Sequence, residues 1–356
     1  MFLKSLNLTN FRNYSNLSLD FDSRPTIFVG NNAAGKSNIL EAIYLLSTTK
    51  SQRVETEDEL IKDEEEFTKV EGILSEPDTE LLVIVNRPSE DVKFRKKALV
   101  NGISRRVVDF IGNLPAVIFY PSDINLITGS PSLRRWHLDL SIAQVDSEYK
   151  RSLTLYGQFL TARNRVLKRI REGKGRADEL TYWTDELIKE GKVVSRKRQD
   201  FFDFINDLVT VLGKFRFEYL PSIVSGEKLV ETNGREVAAA TTLIGPHRDD
   251  FKIILEVRNM AHFGSRGEQR TATLAFKLAQ LEYMAAHPAS GGKILGKRPI
   301  LLLDDVFSEL DANHRAHVVE IVSKQQTIIA TVELENIPKE FLDSSRILRV
   351  EDGKIL

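Results

Sequence analysis

The chain has 356 residues, 42% of them hydrophobic and 28% charged, with 50 Lys and Arg against 51 Asp and Glu. That size fits about two domains, or one domain carrying a large insertion, and the apolar content excludes a disordered chain. A net charge of −1 gives no global field for nucleic acid or membrane, and the absence of cysteine excludes disulfides, a cysteine nucleophile and thiolate-held metals.

Phe2, Leu6 and Leu8 predict a first strand, and Leu17, Leu19 and Phe21 alternate with polar residues in a second. The short apolar run Thr26–Val29, stopped by Gly30, predicts a strand buried on both faces. From Ser37 the period changes: Ile39, Leu40, Ile43 and Leu46 fall at helical spacing. An acidic stretch, Glu57 to Glu66, reads as solvated surface. Val70–Leu74, Glu80–Asn86 and Ala98–Val100 predict strands, with Asn101–Gly102 a hairpin turn, and Val117–Tyr120 is a further apolar strand. Between Asp123 and Leu220 strand signals vanish and helices are predicted over Leu153–Ile170, Ala177–Lys189 and Phe201–Leu212. Strands return at Phe215–Tyr219 and Phe251–Glu256, followed by a helix over Arg270–Ala286 and strands at Ile300–Leu303 and Thr327–Thr331. The pattern predicts an α/β core built from both ends of the chain, 1–122 and 215–356, with a mostly helical insertion over 123–214. No apolar run is long enough to cross a membrane and the first residues lack a signal-peptide core, so a cytoplasmic protein is expected.

Gly30-Asn31-Asn32-Ala33-Ala34-Gly35-Lys36-Ser37 matches G-x-x-x-x-G-K-[ST], preceded by the buried strand and followed by the amphipathic helix. Glycines let the backbone curl so that its N–H groups converge on phosphate oxygens, and the helix start adds positive dipole. Lys36 is expected to reach the β- and γ-phosphates of a nucleotide and Ser37 its Mg²⁺, with Asn38 beside them. The apolar strand Ile300–Leu303 ends in Asp304 and Asp305; Asp304 suits the metal's hydration shell, and Asp305 is placed to polarise an attacking water. Most of the chain separates the two motifs, unlike the closer spacing of small GTPases and nucleotide kinases. Ser265-Arg266-Gly267-Glu268-Gln269 opens a helix, a second anion trap that suggests contact with the γ-phosphate on another subunit.

This set resembles the ABC-type ATPases of the chromosome-maintenance and DNA-repair branch: Walker A at 30–37, signature at 265–269, Walker B at 300–305 and D-loop at 308–311. Within that branch the chain resembles the RecF family, on Asn10-Phe11-Arg12-Asn13-Tyr14, Pro121-Ser122-Asp123, Gly129-Ser130-Pro131, Arg134-Arg135, Asp139 and Gly245-Pro246-His247-Arg248-Asp249-Asp250. The resemblance implies an ABC-type head, a P-loop core plus an antiparallel β-subdomain, with an inserted helical lobe. It implies an ATP-dependent homodimer in which Ser265 and Gly267 of one copy face the γ-phosphate held by Lys36 of the other. It further implies slow, DNA-dependent ATP hydrolysis, binding to double-stranded DNA and single-strand/double-strand junctions, and partners of the RecO and RecR type. The work so implied is recombinational repair, replication restart and the SOS response. Departures are Glu268 where the signature has glutamine, Asp305 where transporters have glutamate, and Thr331 where a histidine switch is expected. No glutamine obviously fills the Q-loop; Asp123 is the substitute by topology, and with it a candidate metal ligand.

For DNA, the segment Arg163–Arg176 is the most basic, and Arg165, Lys168 and Arg169 share a helix face able to track phosphates without reading bases. Lys192, Arg196, Lys197 and Arg198 form a second cluster, with Arg105–Arg106 and Lys93–Lys97 behind them; plain solvated helix faces are the competing reading. Arg12 and Asn13 are candidates for nucleotide phosphate or base. Arg134–Arg135 reads either as an ion pair with Asp139 or as a phosphate contact. His247, Asp249 and Asp250 read as a structural or ATP-proximal loop in preference to a metal site. A transporter ATPase subunit is the alternative function, disfavoured by the long separation of motifs; a chromosome-maintenance protein would need far longer coiled-coil arms.

Overall fold

The computed structural model describes residues 2–75, 78–89, 94–208, 214–287, 298–310 and 312–356. Its chain forms two compact units, one of Met1–Asp123 with Thr273–Leu356 and one of Ile124–Ala272. In order, the first unit opens with strands β1 (Leu3–Phe11), β2 (Tyr14–Asp20) and β3 (Thr26–Val29), helix α1 (Lys36–Thr48), strands β4 (Phe67–Leu74), β5 (Thr79–Asn86), β6 (Lys96–Val100) and β7 (Ile103–Arg105), a turn of helix α2 (Val107–Phe110) and strand β8 (Ala116–Phe119). The second unit follows with α3 (Asn125–Thr128), α4 (Pro131–Ala143), α5 (Ser147–Arg171), α6 (Leu180–Asp207), β9 (Phe215–Leu220), α7 (Gly226–Ala239), β10 (Asp250–Leu255), β11 (Arg258–Asn259) and α8 (Met260–Phe263). Helix α9 (Arg266–Ala286) begins there and ends in the first unit, which closes with β12 (Ile300–Asp304), α10 (Ala312–Val322), β13 (Thr327–Thr331), α11 (Lys339–Asp343), β14 (Arg346–Glu351) and β15 (Lys354–Ile355).

Two six-stranded sheets build the first unit. One is antiparallel, in the order β2-β1-β4-β5-β6-β7; it buries alternate residues such as Leu6, Leu8, Val70, Val83 and Ala98, as period-2 patterning requires. The other runs β15-β14-β3-β13-β12-β8, and its neighbours from β14 to β8 are parallel. Strands β8, β12 and β13 are buried at every residue, which explains their unbroken apolar runs. Helix α1 is buried along nearly its whole length, so its apolar side chains stand in this core rather than along one exposed stripe.

The second unit rests on α5 and α6, which pack side by side. Buried Leu180, Leu187, Val194 and Phe201 recur every seventh residue of α6, the repeat that keeps one seam facing a partner helix. Sequence patterning predicts two helices over 177–212; the structure has one, continuous to Asp207, because no glycine or proline stop interrupts the seam except Gly191, which packs against Tyr156 and Val224. The second unit also reaches Ala272 rather than 214: β9, β10 and β11 form a sheet of their own, and β9 packs on α6. Its interior holds two ionic clusters. Arg163 pairs with Glu236 at 2.7 Å, and Arg198 with Asp249 at 2.6 Å and Asp139 at 2.7 Å.

In the first unit, Asp123 and Lys277 form an ion pair at 3.1 Å, both nearly inaccessible, and Lys277 also donates to the Ile118 carbonyl at 2.9 Å. Burial pulls the Lys277 ammonium below its ordinary value, opposed by Asp123. Removing one member of such a pair strands the other charge. Lys277→Met is therefore expected to lower the free energy of unfolding by about 3–5 kcal/mol, and adding Asp123→Leu to recover part of that loss, both measured by urea unfolding.

Candidate functional site

The phosphate loop of residues 30–37 lies between the carboxyl end of β3 and the start of α1, and its shape is imposed by neighbours. A Cβ on Gly30 would collide with the Val350 carbonyl of β14. Gly35 has φ 114°, a left-handed value that favours glycine, and a Cβ there would sit 2.6 Å from Asn13 Nδ2 and 2.7 Å from the Tyr14 hydroxyl. The Ala34 carbonyl accepts from Gly353 N at 3.0 Å and from Asn13 Nδ2 at 3.2 Å. Because a peptide unit is planar and trans, holding that carbonyl on one side aims the Gly35 N–H to the other. Lys36 folds back on the loop, its Nζ donating to the Gly30 and Asn31 carbonyls at 2.7 Å each. Burial lowers its pKa, and nearby Asp304 and Asp305 oppose the shift.

The two acids stand beside it. Ser37 donates to Asp304 Oδ1 at 2.8 Å. Burial raises the Asp304 carboxyl above the ordinary carboxylate range, while the Ser37 hydrogen bond and Arg53 work against it. Asp305 has φ 51°, an unusual conformation for a residue with a side chain, fixed by its N–H donating to the Ala330 carbonyl of β13 at 2.8 Å. Thr331, at the position where a histidine switch is expected, lies 3.5 Å from Asp305 Oδ1 and donates to the Glu333 carbonyl at 3.0 Å.

The tip of the β1–β2 hairpin braces the loop. Arg12 has φ 54° and makes two hydrogen bonds to Glu41 of α1, at 2.7 and 3.0 Å, with a third to the Glu59 carbonyl. Arg12, expected as a nucleotide contact, clasps the hairpin tip to α1 next to Asn13. Asn13 accepts from Asn38 Nδ2 at 2.9 Å besides binding the Ala34 carbonyl. Arg53 is a site residue that sequence patterning does not reveal. It donates to Asn38 at 3.0 Å and Glu41 at 3.1 Å, and lies 5.8 Å from the centre of the Tyr120 ring. Asp123, expected near the metal, is held instead by Lys277, and accepts from the Tyr120 N–H at 2.8 Å and Gln52 Nε2 at 3.4 Å. Its charge is compensated internally by Lys277. Of the D-loop, Asp311 lies outside the described residues, as does Lys93.

In the second unit, Ser265 caps α9: its hydroxyl accepts from Glu268 N at 3.3 Å, while the Glu268 carboxylate accepts from Ser265 N at 2.8 Å. This reciprocal box, with an ion pair to Arg258 at 3.0 Å, accounts for glutamate where the signature has glutamine. The Ser265 N–H holds that carboxylate below its ordinary value. Gln269 is turned inward onto the Met260 carbonyl, and Gly267 has open space where a Cβ would point.

The basic clusters divide by burial. Arg165 and Lys168 are exposed on α5; Arg169 is exposed but paired with Glu179 at 2.7 Å. Arg163, counted with them in the sequence, is buried against Glu236, Thr242 and Thr184. Lys197 is paired with Asp146 at 2.7 Å and Glu148 at 3.0 Å, and Arg196 lies 3.5 Å from Glu148. Arg198 is an interior residue. Arg105 is exposed on β7, while Arg106 pairs with Asp109. Arg134 is an internal ion pair, with Asp250 at 2.6 Å rather than with Asp139. His247 accepts at Nδ1 from the Tyr156 hydroxyl at 2.7 Å and donates from Nε2 to the Thr242 carbonyl at 3.1 Å, and burial lowers its pKa. With Asp249 and Asp250 taken by arginines, no metal site forms there, and none of three or more His, Cys, Asp or Glu occurs among the described residues.

The family model for the RecF/RecN/SMC N terminal domain matches residues 2–354. A DNA replication and repair protein RecF of Bacillus cytotoxicus is 33% identical over 378 residues, covering 100% of this chain and 98% of the relative. The chain belongs to the RecF family. A Bacillus cereus RecF is likewise 33% identical over 380 residues. Among solved structures, the recombination mediator protein RecF with ATP, from the RecFOR pathway, matches with TM-score 0.86 and 28% identity, covering 100% of this chain and 98% of that one. A Pyrococcus furiosus Smc head matches with TM-score 0.53 at 18% identity, a likeness of fold alone. The architecture is that of an ABC-type ATPase head.

Gly35→Ala tests the bracing of the loop. It adds left-handed strain and a clash with Asn13 and Tyr14, and is expected to lower unfolding free energy by about 1–3 kcal/mol in denaturant titration.

Proposed function

We propose that the protein is an ATP-switched DNA-binding ATPase of recombinational repair, in which ATP joins two copies of the chain around duplex DNA. The observation that carries this reading is the grouping of Lys36, Ser37, Asp304 and Asp305 about a loop whose amides are aimed by fixed neighbours. Gly30, Asn31, Asn32, Ala33, Ala34, Gly35 and Asn38 supply the cradle, and Lys36 exchanges its two loop carbonyls for phosphate oxygens. The donors at the metal position, the Ser37 hydroxyl and the Asp304 carboxylate, are both oxygen and fit Mg²⁺, a hard cation that binds through few protein ligands. Held by Ser37 and Asp304, Mg²⁺ would supply neutralisation of phosphate charge. Asp305 accepts the proton of the attacking water. Ser265 and Gly267, at the start of α9, meet the γ-phosphate of a second copy, so that hydrolysis opens the dimer. The named RecF relatives support assignment to DNA replication and repair, and the RecFOR pathway of the ATP-bound neighbour supports partners of the RecO and RecR type at single-strand/double-strand junctions.

Lys36→Met keeps bulk but loses the cation, and is expected to abolish ATP-dependent dimerisation in sedimentation velocity while the fold persists. Asp305→Asn is expected to retain the ATP-bound dimer and lose turnover; turnover at the parental rate would assign the base elsewhere. DNA contact through α5 predicts that changing Arg165, Lys168 and Arg169 to Ala weakens duplex binding for all sequences. Since Glu179 already compensates Arg169, the slope of log affinity against log salt is expected to flatten by about two units rather than three, read by fluorescence anisotropy across a salt series.

A further inference from the structure

The phosphate loop carries one feature that the reading above leaves unused. Tyr14 is fully buried, and its hydroxyl has no hydrogen-bond partner among the described residues. Buried hydroxyls are ordinarily satisfied, and an orphan costs its full desolvation penalty. This one is not in an incidental corner of the core. It lies 2.7 Å from the place where a Gly35 side chain would begin, at the turn that leads into Lys36 and Ser37. The residue beside it, Asn13, is fully engaged, with Ala34 on one side and Asn38 on the other. Tyr14 is placed by the same hairpin tip, whose Arg12 is locked to Glu41 in a left-handed conformation. Burial raises its pKa above the ordinary phenol value, so the hydroxyl keeps its proton. It is a neutral group with a proton to donate.

The loop beside it is in its closed arrangement, with Lys36 bridging the Gly30 and Asn31 carbonyls. A polyphosphate that draws Lys36 away frees those carbonyls and lets the loop backbone beside Tyr14 shift. We infer that Tyr14 is a positioning residue for the nucleotide, whose hydroxyl gains its hydrogen-bond acceptor, a carbonyl oxygen of the phosphate loop, only when the loop is loaded. The inference rests on the nucleotide reading of the loop. In the free protein the hydroxyl is a standing penalty; in the loaded protein it is a contact. Removing it therefore acts in opposite directions on the two states, which a side chain with only a packing role does not do.

The test uses the full chain in three forms, parental, Tyr14→Phe and Lys36→Met, titrated calorimetrically with ATP in the presence of MgCl₂, and melted without nucleotide. The parental protein is expected to bind and Lys36→Met to fail. Tyr14→Phe, which keeps the ring, is expected to melt at the parental temperature or above it, yet to bind Mg–ATP more weakly by roughly three- to tenfold, the worth of one hydrogen bond. Equal affinity in Tyr14→Phe and the parental protein would overturn the inference while leaving the nucleotide site standing. A lower melting temperature would overturn it too, since the hydroxyl would then be bonded already in the free protein. If the parental protein itself does not bind Mg–ATP, the nucleotide reading fails and the inference with it.

Discussion

In a parallel sheet every strand finishes at the same edge, and that geometric rule governs this molecule. Val29, Asp304 and Thr331 are the last residues of β3, β12 and β13, three strands drawn from opposite ends of the chain and aligned in register. The loop that follows β3 and the acids at the end of β12 meet because there is nowhere else for strand ends to go. A single hydrogen bond, Ser37 to Asp304, joins residues 267 positions apart in sequence across that edge. Everything chemical in the site, from the buried Asp304 to the folded-back Lys36, is arranged about this line.

Charges inside the protein serve a different purpose. Glu41 is almost inaccessible yet accepts from Arg12, Arg53 and Ser51, so one carboxylate ties the hairpin tip and the 51–53 segment to α1. Buried ion pairs add little net stability against apolar replacements, but a partner lost is expensive, so they penalise wrong arrangements more than they reward the right one. At Arg12, whose backbone is held in the left-handed region, the guanidinium provides that discrimination. The hairpin tip is thereby tied to α1, and the phosphate loop lies against it.

Most of the core was legible because its strands are short, wholly apolar and ended by Gly30, Pro121 or acid. The phosphate loop was legible because its spacing is chemically demanding. Illegible was the fate of individual charges. Arg163 stands in a seam with Tyr149, Tyr156 and Ile170, one every seventh residue, and that spacing is a signal of burial; local charge density masked it. The pairing of Arg198, Lys197 and Asp123 was hidden for another reason. Their partners, Asp249, Asp146 and Lys277, are distant in sequence, and only tertiary structure reveals that they are compensated. Arg53 was missed because nothing near it in sequence repeats or alternates; its importance comes wholly from what surrounds it.

The chain leaves the first unit after Asp123 and rejoins it at Thr273, and the Asp123–Lys277 pair fastens the exit to the return. A segment whose two ends emerge from one fixed point can lengthen at small entropic expense, roughly 0.6 kcal/mol for each doubling of its length. The size of whatever hangs there is nearly decoupled from the stability of the nucleotide edge. The second unit can therefore vary in length with little entropic consequence for the core from which both its ends emerge.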